Sequence, residues 1–323
     1  MSSRIAEVDI TRAVAIIGVV VLHSTFQSRF GDNAMAVVSA LGRLFDWAVL
    51  AFFFASGLLH DQGLPFAALL KKKFVSLLAP FFAYNAFYNI CFAGIAAGGL
   101  HINDFNPGLR LLLTGLFKSP AFQLYFLPYL FCISIVVWTL NNLARRYRGP
   151  LDMGVILLVV AFYVVNGFPR FSYGSEYAKL PLYLGAYLVG LVGRPLFEKP
   201  CRVPGMLWVI LCAVLCLLVL FRLTMLSLLV PPLLFCAAAN SKCLREFRPF
   251  ARLGRHSGSI YVWHTPLMLP CCTLLLARLH VPALLNFSLS LGLTLGACIL
   301  LRGGVDAFFE GLLKMKSPRF ITL

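Results

Sequence analysis

The chain consists largely of long apolar runs, separated by short segments that hold most of its charge. The first run, "AVAIIGVVVL" (Ala13–Leu22), begins directly after Arg12 and ends directly before His23. Hydrophobic residues make up 60% of the sequence and charged residues 12%, whereas soluble domains average about 45–50% and about 25%. A chain so rich in apolar residues and so poor in charge is typical of polytopic membrane proteins. The sequence therefore predicts an all-α, polytopic transmembrane helix bundle.

The number of crossings follows from the lengths of these runs. A crossing needs about 20 predominantly apolar residues, and a bilayer can thin around a shorter helix. The stretch from residue 206 to 239 is too long for one crossing at ~1.5 Å per residue, so we divide it at Arg222. About ten spans result: Ala13–Phe26, Leu44–Leu59, Phe74–Ala97, Leu124–Leu140, Met153–Phe168, Leu180–Val192, Met206–Phe221, Leu223–Ala239, Ile260–Leu276 and Ala283–Leu301.

The distribution of positive charge predicts the orientation of the bundle. The chain has 28 lysines and arginines against 12 acidic residues, a net charge of +16. With the N-terminus inside, twenty of the 28 fall in inner segments and eight in outer segments. Membrane proteins concentrate Lys and Arg in cytoplasmic loops, so both termini are predicted to be cytoplasmic. No basic run is interleaved with base-stacking aromatics, which argues against nucleic acid as a partner.

Two other features bear on the overall organisation. An N-terminal apolar run can be a cleaved signal peptide, but no A-x-A pattern follows this one, and we interpret it as a retained first span. The ten cysteines form no metal-ligand or disulfide spacing pattern, so no metal site is expected. We expect residues 1–323 to form a single integral membrane domain without a separate soluble domain.

Arg12 and His23 lie on one face of the first predicted helix. They are eleven residues apart, and eleven steps of 100° complete three turns plus 20°, which places the side chains about 16 Å apart along the axis. A histidine at bilayer depth must face the bundle interior or a watery cavity, and its ordinary pKa suits proton transfer. The alternative is a structural histidine that bonds another helix, with Arg12 as a topology anchor.

Five motifs, in order along the chain, carry a resemblance to a known family. The first is Arg-x10-His at Arg12 and His23. The others are "FFFASGLL" (Phe52–Leu59), "KKKFVSLLAPFF" (Lys71–Phe82), "LYFLPYLF" (Leu124–Phe131) and "SGSIYVWHTPL" (Ser257–Leu267). Together they resemble the acyltransferase-3 family of integral membrane O-acyltransferases. Tyr125 stands where the family usually has Trp, and Lys73 lies in a stretch where members commonly carry arginines.

The resemblance implies an enzyme that transfers an acyl group from cytoplasmic acyl-CoA to a hydroxyl of a glycan or lipid-linked sugar. The expected acyl group is acetyl, with acetyl-CoA as the donor substrate, and the expected location is the bacterial cytoplasmic (inner) membrane. His23 is then the candidate general base. Arg12, Lys72 and Lys73 are candidate ligands for the coenzyme A phosphates, and Arg12 could instead polarise the thioester carbonyl.

Four further polar residues are candidates for supporting roles, and three of them have a structural alternative. Asp46, expected about one turn into the second span, could orient His23 or pair with Arg43. Ser56 either contacts substrate or, with Gly57, allows close helix packing. His264, which precedes Thr265-Pro266, supports the site or bonds a neighbouring helix. Tyr125 replaces the aromatic residue of the fourth motif.

A transporter or flippase without acyl chemistry is the alternative function. Such a protein would also have about ten spans and buried polar residues. Transporters often contain corresponding broken helices in two repeated halves, and this sequence has no internal repeat. A transporter would release no free thiol from acetyl-CoA, which separates the two functions experimentally.

Overall fold

The computed structural model describes residues 5–25, 32–97, 122–147, 179–197, 227–313 and a few positions between 207 and 214. Within these ranges the chain is helical and contains no strand, in agreement with the predicted all-α class. The main helices are α1 (Ala6–Ser24), α2 (Asp32–Leu44), α3 (Ala48–Leu58), α4 (Phe66–Lys73), α5 (Ala79–Ala97), α6 (Phe126–Tyr147), α7 (Leu180–Phe197), α8 (Val230–Asn240), α9 (Lys242–Glu246), α10 (Arg248–Arg255), α11 (Ser257–Trp263), α12 (Leu269–Arg278) and α13 (Ala283–Leu313).

Three described helical stretches are long and apolar enough to cross a membrane. They are Ala34–Leu58, which includes most of α2 and all of α3, Gln123–Asn142, which includes most of α6, and Ala283–Arg302 in α13. Shorter apolar helices occur at Leu180–Arg194, Val230–Asn240 and Leu269–Arg278. The predicted span Met153–Phe168 and most of Met206–Phe221 lie outside the described residues. The count of ten spans and the cytoplasmic termini therefore stay predictions.

Helix α1 occupies the centre of the described bundle. It packs against α2, α3, α8, α10, α11 and α13, and most of its residues are buried, including Arg12 and His23. A helix that is apolar nearly all round gains stability by being enclosed on several sides. The central position of α1 carries both of its predicted functional side chains into the interior of the protein.

Helices α3 and α7 form another close pair, in which small residues allow the backbones to approach. A Cβ atom added to Gly57 would overlap the carbonyl oxygen of Tyr187, and one added to Gly190 would overlap that of Phe54. Beside this contact the rings of Phe53 and Tyr183 stack with centroids 4.5 Å apart. The glycines thus fix where α7 lies against α3.

The helical path is interrupted by π-helical turns at Phe74–Leu78, before α5, and at His264–Met268, between α11 and α12. Prolines explain why regular helix ends there, since Pro80 and Pro266 lack an N–H to donate to the preceding turn. The second turn contains a true kink, because Thr265 has φ −135° and ψ 147°. A residue before proline is driven into this extended region by steric clash.

Candidate functional site

His23 and His264 face one another inside the bundle. His23 lies in the last turn of α1 and is 9% exposed, whereas His264 follows α11 and is fully buried. Their ring centroids are 5.0 Å apart, with an angle of 60° between the ring planes. Two imidazoles from distant parts of the sequence therefore share one buried location. Both were candidates in the sequence, but their contact was not predicted.

The kink at Thr265-Pro266 positions the His264 ring. It disturbs the regular helical pairing of the preceding turn, and the Nδ1 of His264 lies 2.9 Å from the carbonyl oxygens of both Ile260 and Tyr261. A carbonyl oxygen only accepts hydrogen bonds, so Nδ1 carries the proton and donates it. The Nδ1 atom of His264 thus bonds the backbone of its own helix and not a neighbouring helix.

This tautomer determines what the other ring nitrogen can do. With Nδ1 protonated, the Nε2 of neutral His264 holds a lone pair and can only accept a hydrogen bond. Nε2 is buried and has no hydrogen-bond partner within the described part of the chain. A buried acceptor of this kind costs free energy unless a donor reaches it. A hydroxyl-bearing substrate would supply such a donor beside His23.

Two residues that the sequence analysis did not single out hold the kink. Tyr88 of α5 donates its hydroxyl proton to the carbonyl oxygen of Val262 at 2.8 Å, and Val262 is the residue whose carbonyl loses its helical donor at Pro266. The side-chain amide of Gln123 donates to the backbone carbonyl of Thr265. The backbone carbonyl of Gln123 accepts from the hydroxyl of Tyr261. The proline signalled that such donors were needed, but not which residues would supply them.

A second cluster gathers cations near the start of α1. Arg12 is 5% exposed, and its charge acts on Lys73, which lies half-buried at the end of α4 next to Lys72. Burial, together with the charges of Lys72 and Arg12, lowers the pKa of Lys73 to about 8. Lys73 is still mainly protonated at pH 7. The structure therefore brings together the three residues that were predicted to hold phosphates.

The two clusters lie toward opposite ends of α1. Arg12 and His23 are on one face of this continuous helix, about 16 Å apart along its axis. One end holds cations, which attract anionic groups, and the other holds two imidazoles, a group that can accept or donate a proton near neutral pH.

The remaining predicted residues are distributed around these clusters. Asp46 lies in the turn before α3, not one turn inside the helix, and the charges of Lys179 and Arg43 act on it. The charge of Lys179 also acts on His23, so this lysine, which the sequence analysis did not single out, lies near both groups. The end of α1 that holds His23 therefore has a carboxylate, Asp46, and two cations, Lys179 and Arg43, near it.

Ser56 and Tyr125 occupy packed positions. Ser56 is 5% exposed and directly precedes Gly57, the residue at the close approach of α3 and α7. Tyr125 is half-buried, and its hydroxyl lies 3.2 Å from that of Tyr183. Among the described residues, no group of three or more His, Cys, Asp or Glu side chains is arranged to hold a metal ion.

Comparison with known proteins provides one match. Neither the search of curated proteins nor that of solved structures found a similar chain. The model of the Acyl_transf_3 family, described as an acyltransferase domain, matches residues 5–303, a range that contains both clusters and nearly the whole sequence. The protein therefore belongs to the acyltransferase-3 family, as the five motifs predicted.

Proposed function

We propose that this protein is a membrane O-acyltransferase that transfers an acyl group, acetyl by preference, from cytoplasmic acyl-CoA to a hydroxyl of a glycan or lipid-linked sugar. One observation carries the proposal. A single central helix presents Arg12 beside Lys73 near its start and His23 against His264 at its end. Membership of an acyltransferase family supports the reaction class. The proposed location is the bacterial cytoplasmic membrane, with residues 1–323 acting as one domain.

The cation cluster fits the donor. Coenzyme A carries its phosphates far from its thioester, at the opposite end of a flexible arm. Arg12 and Lys73, with Lys72 exposed beside them, would bind the phosphates through charge-assisted hydrogen bonds. The arm would then extend along α1 and deliver the thioester carbonyl to the imidazole pair. Because Arg12 lies about 16 Å from His23, we assign it to the donor phosphates and not to the reacting carbonyl.

His23 is the proposed general base. As the acceptor hydroxyl attacks the thioester carbon, its proton passes to a ring nitrogen of His23 and a C–O bond forms. The tetrahedral intermediate then collapses, the C–S bond breaks, and the imidazolium returns the proton to the departing thiolate. The products are an O-acyl ester and free coenzyme A. Burial of the ring limits access of bulk water to the reacting groups.

His264 is proposed as a positioning residue. Its Nδ1–H is committed to two backbone carbonyls, so only the acceptor atom Nε2 is offered to the space near His23. A hydroxyl of the sugar could donate to this atom while another is held for attack. Asp46 and Lys179 lie at the same end, where polar groups could bind a hydroxylated acceptor.

A direct test measures thiol release and product together. The purified protein in lipid nanodiscs is supplied with acetyl-CoA and membrane glycan extract, and free thiol is titrated over time. Surface glycans of cells with and without the protein are then compared by mass spectrometry for one added acetyl mass per repeat. Stoichiometric thiol and acetyl ester support the proposal. Solute movement without either product would instead identify a transporter or flippase.

A further inference from the structure

His60, which no part of the proposed mechanism uses, lies buried just after α3. Its side chain is 1% exposed, and its backbone N–H donates to the carbonyl of Gly57 at 3.0 Å. The Nδ1 atom lies 2.7 Å from the hydroxyl oxygen of Tyr187. The other ring nitrogen, Nε2, is buried and has no hydrogen-bond partner among the residues that the structure describes. A buried polar atom in this state costs free energy unless a water, an ion or a ligand satisfies it.

The partners of Nδ1 decide which ring nitrogen can carry the proton of neutral His60. Ser134 donates its only hydroxyl proton to the carbonyl of Leu130 at 2.7 Å, so its Oγ is left to accept. Tyr187 can donate either to His60 at 2.7 Å or to Ser134 at 3.4 Å. The 2.7 Å distance suits donation in either direction. Neutral His60 therefore carries its one proton either on Nε2, when Tyr187 donates to Nδ1, or on Nδ1, when Tyr187 donates to Ser134.

The same arrangement tolerates a second proton on His60. In the imidazolium form both ring nitrogens are donors. The hydroxyl of Tyr187 would then accept from Nδ1 and turn its proton to Ser134 Oγ. The Tyr187–Ser134 pair can therefore satisfy either charge state of His60 by rotating one hydroxyl.

The charges around His60 are those of the proposed donor site. The side chains of Lys73 and Lys72 from α4 and Asp61 from the same turn act on it, while Tyr187 packs from α7. The positive charge of Arg12, on α1, acts in turn on Lys73. Burial and the charge of Lys73, with a smaller contribution from Lys72 and against the effect of Asp61, lower the pKa of His60 to about 4. The surrounding protein groups therefore keep His60 neutral at pH 7.

We propose that His60 is a further ligand of the donor's phosphates, and that it binds them with uptake of one proton by its ring, so that Nε2 donates to the phosphate and Nδ1 donates to Tyr187, which in turn donates to Ser134. The inference rests on the proposed use of acyl-CoA. An anion beside Nε2 favours the charged ring and offsets the repulsion from Lys73 and Lys72. Binding that takes up a proton becomes tighter as the pH falls, so coenzyme A is held more strongly at pH 6 than the lysines alone would achieve.

The test measures the equilibrium binding of coenzyme A, without acyl transfer, to the full-length protein in neutral-lipid nanodiscs at pH 6 and pH 8. His60→Asn keeps an atom for Tyr187 but has none at the Nε2 position. Its Kd should rise about tenfold at pH 6 and about threefold or less at pH 8, because a hydrogen bond to a charged group contributes more than a neutral one. Titration of Lys73 and of the ligand phosphate is common to both proteins and cancels in the ratio.

Two variants separate proton uptake from simple contact. His60→Gln places a neutral amide donor near the Nε2 position, so it should bind as wild type at pH 8 and lose the gain at pH 6. Ser134→Ala removes the acceptor to which Tyr187 must turn, and it should reduce the pH dependence while leaving the affinity at pH 8 close to wild type. His280→Asn is the matched control, since His280 is exposed and has a φ of 54° that Asn tolerates.

The outcomes distinguish this inference from the proposed function. Equal coenzyme A binding by wild type and His60→Asn at both pH values would overturn the role of His60 and leave the acyltransferase proposal intact. An equal loss at pH 6 and pH 8 would overturn proton uptake. Failure of the wild-type protein to bind coenzyme A would overturn both proposals. Loss of coenzyme A affinity in nanodiscs of anionic lipid would assign the site to a lipid headgroup and overturn the assignment to the donor.

Discussion

At the scale of single residues, the proposed chemistry depends on the imidazole of His23, which lies against that of His264. His23 is 9% exposed and its ring lies 5.0 Å from that of His264. We expect His23→Gln to insert normally and to transfer acyl groups at least ~10²-fold more slowly, the usual contribution of a positioned acid–base group. Glutamine retains polarity and similar size but takes up no proton at neutral pH. The measurement is the initial rate of thiol release from acetyl-CoA.

The comparison with His23→Ala completes this test. The alanine variant should be about as inactive as the glutamine variant, because both lack the base. It should also fold and insert, because removal of one imidazole creates no new buried charge. A structural histidine would behave differently, since the amide of glutamine would restore most of its hydrogen bonding. Near-normal transfer by well-folded His23→Gln protein would therefore end the catalytic assignment.

Residues at the other end of α1 should affect donor use and not the chemical step. We expect the Arg12→Ala, Lys73→Ala double variant to raise the KM for acetyl-CoA by about tenfold or more, because charge-assisted hydrogen bonds to phosphate are lost. The wild-type KM should rise with salt, which screens such contacts, and the variant should respond less.

Lys242→Ala serves as the control for this donor experiment. Lys242 is exposed and forms a 3.7 Å ion pair with Glu246 on α9, within one exposed helix. Removing this cation changes the net charge but leaves the cluster of Arg12, Lys72 and Lys73 intact. The KM for acetyl-CoA should therefore stay within about twofold, because an exposed ion pair contributes little free energy. An unchanged KM in the double variant would contradict the assignment of Arg12 and Lys73.

At the scale of helices, the close approach of α3 and α7 is expected to set stability. Gly57→Ala would drive a methyl group into the carbonyl of Tyr187, and backbone cannot move aside as a flexible side chain can. We expect a loss of about 1–3 kcal/mol of stability. Gly292→Ala in α13 is the matched control, because nothing lies within 4 Å of its added Cβ. Thermal unfolding of both variants in one detergent measures the difference, and equal midpoints would contradict the packing argument.

The sequence predicted single helices better than it predicted their contacts. The predicted spans Leu124–Leu140 and Ala283–Leu301 agree closely with described apolar helices, because continuous hydrophobicity is a local property. The meeting of His23 with His264 depends on how α1 packs against α11, which local periodicity does not encode. Pro266 leaves carbonyls of the preceding turn without helical donors, and packing brings His264 and Tyr88 to the carbonyls of Tyr261 and Val262.

Other parts of the site had no signal in the sequence at all. His60 follows an apolar aromatic run and belongs to none of the spacing patterns that indicate catalysis or metal binding. Its importance arises only when α7 brings Tyr187 within 2.7 Å and α4 brings two lysines near. Likewise, Lys179 is one of the eight lysines and arginines of the predicted outer segments, and only packing places it close to Asp46 and His23.

At the scale of the whole molecule, the proposed function requires that the two ends of α1 face opposite sides of the membrane. Donor phosphates would be bound near Arg12 and Lys73, so this end must be cytoplasmic, as the excess of positive charge in the inner segments predicts. His23 then lies toward the far side, where an exported glycan or lipid-linked sugar could meet the thioester. The orientation of the bundle is therefore part of the mechanism and can be measured independently of activity.

Reporter fusions at four points decide this orientation. A reporter joined after Lys73 or after Arg146 should be active in the cytoplasm, because both sites follow basic segments assigned to the inner side. A reporter joined near Asn103 or Ser175 should be active on the far side, since an even number of crossings separates each from the other and an odd number separates both from the N-terminus in the ten-span arrangement. Pairing a reporter that works only in the cytoplasm with one that works only outside gives each position its own internal control. A cytoplasmic signal at residue 103 or 175 would overturn the ten-span arrangement. It would also overturn the inference that the acyl donor and the acceptor approach α1 from opposite faces of the membrane.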